Sequence, residues 1–547
     1  MKFSRPLLKP SLVAWALLAT TLACTSPASN PGGNRIVTPP PEARQPVPNG
    51  TPGPGATPGA NATPAAGTAL VASPTGALNS DELHAGYQAL IDNYVDPVDG
   101  DQLIKAGSDA LRQQMSDQVV LPMVSLPLEM LPDPTGNADR DWQTFGDAYD
   151  AVVKKDPTWA AQAHPDWAVL KSMAESLKDG HTTFLTPQDV QRRNETSFAG
   201  IGVLLSKPED NGAPLIGEVF PNSPAQTGGL QRGDRILAIR GPDGNWQDLA
   251  GMSIADVATL IRGQTGSAVG LRVQRVSAPA PKDITIQRAQ VNVDQVYASQ
   301  VRGVPIGYLR IRGFGDDQVA DNTLGILQAG QQRGIKAWIV DLRGNSGGAL
   351  NAVVTTAGGF LDQNHPVVGY EVDRQRHQQA LTTEPVNLVS GDQVVVLVDK
   401  DTASGAEILT AALKEAGVAR IVGQTTAGNV GVAKQVPLAD GSMMQVTENR
   451  FVSPSGAQLD GVGVAPDQPV DMTDGDIEND RDPQLQQALQ TVAQGLGLTA
   501  ASGPATPAAS ATAAARPTAA GPTPAPGQSP ATSPAPAATP TAGAVAQ

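Results

Sequence analysis

Ala337-Trp-Ile-Val-Asp-Leu-Arg-Gly-Asn-Ser-Gly-Gly348 is the stretch that decides the fold. Its first four residues form an apolar run without alternation, ending at Asp341, the pattern of a strand buried on both faces. The charged and glycine residues that follow read as a tight loop leaving the end of that strand. A second unit repeats the plan: Gln393-Val-Val-Val-Leu-Val398 is another continuous apolar run, followed by Asp401-Thr-Ala-Ser-Gly-Ala-Glu-Ile408. A strand over Ile306 to Ile311 and a helix over Val319 to Gly330 precede them, so residues 300 to about 470 alternate strand and helix and predict an α/β core.

Ser404 follows a buried strand and opens a helical pattern, Ala406 to Lys414. At such a place the backbone offers free N–H groups and the helix dipole favours negative charge. The Gly405 N–H is one candidate donor to a developing oxyanion, and the N–H of Gly347 or Gly348 is the other, because glycine lets backbone approach a substrate closely. Taken singly, Ser404 reads better as a helix N-cap and the glycine pair as a tight turn; the two together make a candidate nucleophile site.

Outward from this core the chain changes character. Residues 79–195 are mostly helical, with Leu83, Tyr87, Leu90, Ile91 and Tyr94 at helical spacing behind the capping signal Asn79-Ser80-Asp81-Glu82, and a second stripe at Trp167, Leu170, Met173 and Leu177. The prolines of Val119 to Asn137 predict a long loop. Residues 196–292 read as strands at Ile201 to Leu205, Leu215 to Phe220, Arg235 to Ile239, Val269 to Arg275 and Asp283 to Arg288, with one helix over Ser253 to Arg262. The core follows over 293–475 and a C-terminal helix over 476–498. Residues 25–78 and 499–547 are Pro-, Ala-, Thr- and Gly-rich and predict disordered tethers, since neither holds enough apolar surface to offset chain entropy.

Residues 1–24 have the pattern of an export signal. Lys2, Arg5 and Lys9 precede a short apolar stretch that ends at Leu22-Ala23-Cys24. Cys24 is the only cysteine among 547 residues, which rules out an intrachain disulfide. Its position resembles the lipid-acceptor cysteine of a bacterial lipoprotein, which implies an exported chain held at a membrane surface; plain secretion is the alternative. A net charge of −15 with no basic stripe argues against nucleic acid as a partner. His84, His164, His365 and His377 show no metal-ligand spacing, and there is no P-loop or dinucleotide fingerprint, so no metal and no cofactor are expected.

The order of motifs carries a resemblance. Asp179-Gly-His-Thr182, then Ser223-Pro-Ala…Gly229-Leu…Gly233-Asp234, then the 341–348 and 401–408 segments, then Gly423-Gln-Thr-Thr-Ala-Gly428 and Gly461-Val-Gly-Val-Ala-Pro-Asp467 resemble the C-terminal processing (tail-specific) peptidases of the S41 serine family. The resemblance implies a multidomain α+β chain: a helical N-terminal region, a PDZ-like β-rich domain and a crotonase-like (ClpP/crotonase type) α/β protease core. It implies a serine endopeptidase that cuts flexible protein tails, with Ser404 as nucleophile. Phe198, Gly200, Ile201, Gly202 and Val203 would form the carboxylate loop and edge strand, which hold an accessible C-terminus by strand addition.

One position departs from the family. Where the resemblance places the general-base lysine, this chain has Asn429, and where it places the assisting glutamine it has Ala433. Asparagine cannot act as a base at neutral pH. Three readings stay open. His181 is the base, as the resemblance of its motif to the tricorn-related branch implies, with Asp460 or Glu407 as orienting carboxylate. Lys434 is the base, which requires desolvation. Or no base exists and the chain binds C-terminal peptides without cutting them.

Overall fold

The computed structural model describes residues 77–116, 131, 133–194, 197–241, 244–389 and 394–498. The chain divides into two units, residues 1–69 and 70–547, and every described residue lies in the second. The leader with Cys24, the linker up to residue 76, most of the proline-rich 119–137 segment and the 499–547 tail lie outside the described residues.

The helical region comprises α1 (Ser80–Asn93), α2 (Gly100–Ser116), α3 (Ala138–Lys155), α4 (Pro157–Ala163) and α5 (Pro165–Ser176), followed by β1 (Thr183–Leu185) and α6 (Pro187–Asn194). Helix α1 starts where its capping signal predicts. The Asn79 side chain accepts from Glu82 N at 3.0 Å, and the Glu82 carboxylate accepts from Asn79 N at 3.0 Å. Leu83, Leu90, Leu170 and Met173 are fully buried in one apolar cluster, as both helical stripes require.

Next come β2 (Ser197–Gly200), β3 (Val203–Ser206), β4 (Leu215–Val219), α7 (Pro224–Thr227), β5 (Arg235–Arg240), β6 (Trp246–Asp248), α8 (Ile254–Ile261), β7 (Ala268–Gln274), β8 (Lys282–Gln287) and β9 (Ala289–Asn292). Strands β3-β4-β5-β7-β8 form an antiparallel sheet with β6 on β5, while β2 pairs with β9. The strand expected over Ile201 to Leu205 is thus split. Gly202 sits at φ 82°, and a Cβ there would lie 2.4 Å from Ser223 Cβ, so the chain turns at this glycine.

The last region holds β10 (Val296–Gln300), β11 (Ile306–Ile311), α9 (Asp317–Gln332), β12 (Ala337–Asp341), α10 (Leu350–Gly358), β13 (Val367–Val372), β14 (Gln378–Thr382), β15 (Val394–Val398), α11 (Gly405–Glu415), β16 (Ala419–Gly423), β17 (Gly431–Pro437), β18 (Met443–Val452), β19 (Gln468–Pro469), α12 (Asp474–Glu478) and α13 (Pro483–Gly495). Its main sheet runs β10-β11-β12-β15-β16-β19, parallel from β11 onward. Every residue of β11, β12 and β15 is buried, because helices cover both faces. Val340, Val396 and Ile421 pack with Val353 and Leu409 of α10 and α11 on one face. Ile339, Val395 and Val422 pack with Leu485, Ala488 and Val492 of α13 on the other.

A second sheet, β1-β18-β13-β14 with β17 on β18, completes the region. Strand β1 belongs to the helical region in sequence yet pairs with β18, Thr183 opposite Gln445. That pairing brings residues 179–182 onto the second sheet. The single C-terminal helix expected over 476–498 is instead two helices. Asp480 at φ 50° ends the first, and Pro483 opens the first turn of the second.

Trp338 of β12 is wedged between two glycines: a Cβ on Gly307 would lie 2.5 Å from its ring, and one on Gly330 only 2.3 Å from Cζ2. Gly330→Ala should therefore destabilise the chain by about 1–3 kcal/mol, since overpacking outweighs the better helix propensity of alanine. A lowered urea midpoint checks this; an unchanged or raised midpoint would mean the helix can shift to make room.

Candidate active site

Strand β15 ends at Val398, and the chain turns through Asp399 to Ala403 before α11 begins. Ser404 occupies this junction at φ 53° and ψ −121°, a conformation an L residue adopts only when its surroundings impose it. Several contacts impose it. Ala403 N donates to Asn345 O at 2.9 Å, and Ser404 N donates to Asn429 O at 2.9 Å. The Ser404 hydroxyl makes no capping bond to the helix. The residue is half-buried, with its neighbour Gly405 fully packed.

The second loop abuts the first. A Cβ on Gly347 would lie 2.7 Å from Ser404 Cβ and 2.6 Å from Gly405 N, so only glycine permits this approach. Gly348 is pressed just as closely on Phe314, whose carbonyl accepts from Ala349 N at 2.6 Å while Phe314 N donates to Gly347 O at 2.8 Å. The two candidate donors in this loop are not equivalent. Gly347 N donates to Asn345 Oδ1 at 2.8 Å and is already occupied. Gly348 is exposed, and its N–H, like that of Gly405, has no acceptor among the described residues. The oxyanion donors are therefore better written as Gly348 and Gly405, with Gly347 serving the close approach.

Beneath the loop lies a buried ionic network. Asp341, with no exposed surface, pairs with Arg310 at 2.5 Å and Arg343 at 2.7 Å and accepts from Tyr308 Oη at 2.7 Å. Burial alone would raise the Asp341 pKa, but the two guanidinium groups outweigh it and hold the carboxyl far below the usual range.

Glu407, also fully buried, joins the serine loop to the 426–429 segment. One carboxylate oxygen accepts from Thr426 Oγ1 at 2.5 Å and Gly428 N at 2.8 Å; the other accepts from Ser404 N at 3.0 Å and Asn429 N at 2.9 Å. Three of the donors are main-chain N–H groups and the fourth is the Thr426 hydroxyl, so Glu407 holds these two loops and not an imidazole.

His181 reaches this place from the helical region. Asp179 accepts from His181 N at 2.7 Å, Thr182 N at 2.6 Å and Thr182 Oγ1 at 2.8 Å, fixing the turn. Burial pushes Asp179 up, but these bonds and one from Thr447 leave its carboxyl below the usual range. Gln445 Nε2 donates to His181 O at 2.8 Å and docks the turn on β18. The imidazole lies against Gly431, where a Cβ would be 2.8 Å from Cδ2, and the neighbouring Asn429 main chain favours its protonated form. Nε2 is buried with no partner among the described residues. Burial lowers the His181 pKa, against the opposing pull of Asp179, Asp460 and Glu407.

The remaining predicted residues separate. Asp460 accepts from Val430 N at 3.3 Å and acts on His181 through its charge. Lys434 lies on β17 with Nζ 2.8 Å from Asn93 Oδ1 and 3.7 Å from Glu448, its side chain nearly half exposed. It lacks the desolvation a lysine base requires. Asn429 packs its amide against Gly180, where a Cβ would meet Oδ1 at 2.5 Å.

The expected peptide loop is narrower than the sequence suggests. Phe198 and Gly200 lie in β2, paired with Val291 and Ala289, and the Phe198 ring sits 5.1 Å from the Arg262 guanidinium. Ile201 O accepts from Ala225 N at 2.8 Å, and Gly202 O from Phe220 N at 3.0 Å. Because C=O and the next N–H point oppositely across a planar peptide, the N–H groups of Gly202 and Val203 face away from these partners. Strand β3 beyond them is the sheet edge, with Leu204 43% exposed.

Residues 305–470 match the family model of peptidase family S41, and residues 215–275 match that of a PDZ domain. The chain carries an S41 peptidase region and a PDZ domain. It is 30% identical over 308 residues to the carboxy-terminal processing protease CtpB of Bacillus subtilis (strain 168), covering 54% of this chain and 61% of that protein. It is 30% identical, again over 308 residues, to the chloroplastic carboxyl-terminal-processing peptidase 1 of Arabidopsis thaliana, covering 55% and 61%. The match thus spans about three-fifths of the length of these relatives. Among solved structures, the photosystem II D1 C-terminal processing protease aligns over 72% of this chain and 93% of that one at 22% identity, with a TM-score of 0.45. His181 lies outside both matched segments, in the helical region that precedes the PDZ domain.

Two groups central to the S41 region escaped sequence reasoning: Asn345, which braces both loops, and the bridging role of Glu407. The Ser404-x-x-Glu407 spacing is a capping-box signal that points to the second. Backbone strain at Ser404 generates a prediction. Ser404→Gly should raise stability by about 1–2 kcal/mol relative to Ser404→Ala, because glycine adopts positive φ without strain. Paired denaturation midpoints measure the difference; equal midpoints would mean the junction relaxes when the hydroxyl is removed.

Proposed function

We propose that this chain is a serine endopeptidase of the C-terminal processing type in which His181, rather than a lysine, activates Ser404. The observation that carries the reading is that the buried His181 imidazole lies against Gly431, two residues past the Asn429 whose carbonyl accepts from Ser404 N, while Nε2 of that ring has no partner among the described residues. A neutral imidazole there can take the Ser404 hydroxyl proton as Oγ attacks a peptide carbonyl. The oxyanion that forms accepts from Gly348 N–H and Gly405 N–H. The imidazolium, stabilised by the nearby charge of Asp460, returns its proton to the leaving amine, and water then hydrolyses the acyl-serine. Substrates are flexible protein tails. The amides of Gly202 and Val203 suit a terminal carboxylate, and the free edge of β3 suits the extended residues before it. The leader ending at Cys24 supports an exported, lipid-anchored protein that meets such tails at a membrane surface.

The test is cleavage of an unfolded protein with an apolar C-terminus by the chain and its Ser404→Ala, His181→Ala and Lys434→Ala forms. The expected result is cleavage by the parent, loss of at least about 10³-fold in the first two, and little change in the third. A dead Lys434→Ala with an active His181→Ala would move the base to the lysine. A parent that retains the tail without cutting it would support the alternative, a peptide-binding protein on a peptidase scaffold.

The pH profile gives an independent check. Because burial lowers the His181 pKa, the base form persists to lower pH than in a free imidazole. Rate should be flat near neutrality and fall on the acid side with a midpoint below about 6.5. Stability follows the same sign, full above that value and declining as pH falls, since the unfolded chain binds the proton more readily. A rate that keeps climbing above pH 8 would point to a lysine instead.

A further inference from the structure

The loop that presents Gly348 is braced from the far end of the chain. Arg343, five residues before Gly348, donates through Nη1 and Nη2 to the two carboxylate oxygens of Asp482, each at 2.9 Å, and through Nη1 to Gln484 Oε1 at 3.1 Å. The same guanidinium pairs with Asp341, and Arg310 Nη2 donates to Arg343 O at 2.8 Å. Four groups therefore meet, balanced in charge: the buried Asp341 carboxylate, the partly exposed Asp482 carboxylate and two guanidinium groups. Neutralising Asp482 leaves an uncompensated positive charge at the root of the loop, where a lost partner is costly.

Asp482 is the last residue of a short strap that begins at α12. The rest of the strap, from Asp474 to Arg481, is gripped by the PDZ domain. Arg235 pairs with Glu478 at 2.5 Å, Arg232 Nη1 donates to Arg481 O at 3.0 Å, and Glu209 N donates to Asp474 Oδ2 at 2.8 Å. The packing has no slack, since a Cβ on Gly233 would lie 2.4 Å from Ile477 O. The strap thus runs from one domain to the base of the loop that carries a candidate oxyanion donor. Its break at Asp480, with φ 50°, keeps it from merging with α13 into one rigid helix.

We propose that residues 474–482 form a positioning strap that sets the oxyanion loop, with Asp482 acting through Arg343 on the Gly348 amide and Glu478 anchoring the strap on the PDZ domain. Asp482 and Glu478 are positioning residues: neither touches the substrate. The inference rests on the peptidase reading for its catalytic consequence, but its structural consequence can be read without any turnover.

The experiment is amide hydrogen exchange by mass spectrometry on the full chain and its Asp482→Asn and Glu478→Gln forms, with cleavage kinetics alongside. Asparagine at 482 can still cap α13, where Leu485 N donates to Oδ1 at 2.8 Å, so loss of the cap is controlled for. The expected result is at least tenfold faster exchange over 343–349 in Asp482→Asn, and a smaller acceleration over both 474–482 and 343–349 in Glu478→Gln. In kinetics, kcat should fall about tenfold in Asp482→Asn with KM within twofold, as expected when a donor is displaced rather than lost. Faster exchange confined to α13 in the first variant, or a freed strap with an unchanged 343–349 loop in the second, would overturn the proposal. A parent chain that cleaves nothing counts against the peptidase reading alone, because the exchange data still decide the strap.

Discussion

A single buried carboxylate holds the candidate site together. Glu407 receives Ser404 N, Thr426 Oγ1, Gly428 N and Asn429 N, and no exposed surface remains on it. A buried acceptor is stable only when its lone pairs are filled, and each donor is stable only when it is used. The four bonds therefore fix two loops against each other in one geometry. The strained Ser404 backbone depends on this, as does the position of Asn429. Substituting the acid would free the Ser404 junction and the Asn429 segment at once.

Around that centre the chain solves a problem of supply, because no single segment carries the whole site. The serine junction comes from the end of β15 and the oxyanion loop from the end of β12, neighbouring parallel strands whose ends lie together. In open parallel sheets, function collects at such carboxyl ends. The histidine comes from a different region, delivered because β1 pairs with β18. The PDZ domain lies between these segments in sequence, with its own core of Ile216, Ile236, Val257 and Leu271. An ion pair between Arg312 and Glu218, and the strap through α12, connect it to the S41 region.

The departure at Asn429 has a structural logic. The Asn429 amide packs against Gly180, and a buried imidazole from the same turn lies against Gly431 two residues on. Lys434, the nearby cation in sequence, is spent on Asn93 and Glu448 at the surface. Burial thus separates two residues that sequence reading left as rivals: the histidine is desolvated, and the lysine is not.

Much of this was legible in the sequence. The unbroken apolar runs at 337–340 and 394–398 dictated strands buried on both faces, because no amphipathic alternative exists for such a pattern. The Asn79…Glu82 capping box marked its helix, and the glycine pair at 347–348 marked a close approach, since local backbone chemistry is written in adjacent residues. Tertiary structure alone decided the rest. Asn345, which occupies Gly347 N two residues on, also holds Ala403 N across the site. The narrowing of the peptide loop by the β2–β9 pairing and the placing of His181 against Gly431 likewise join residues far apart in the chain. Sequence periodicity reports which face of an element is apolar; it carries no information about which distant partner that face, or a buried polar group, will find.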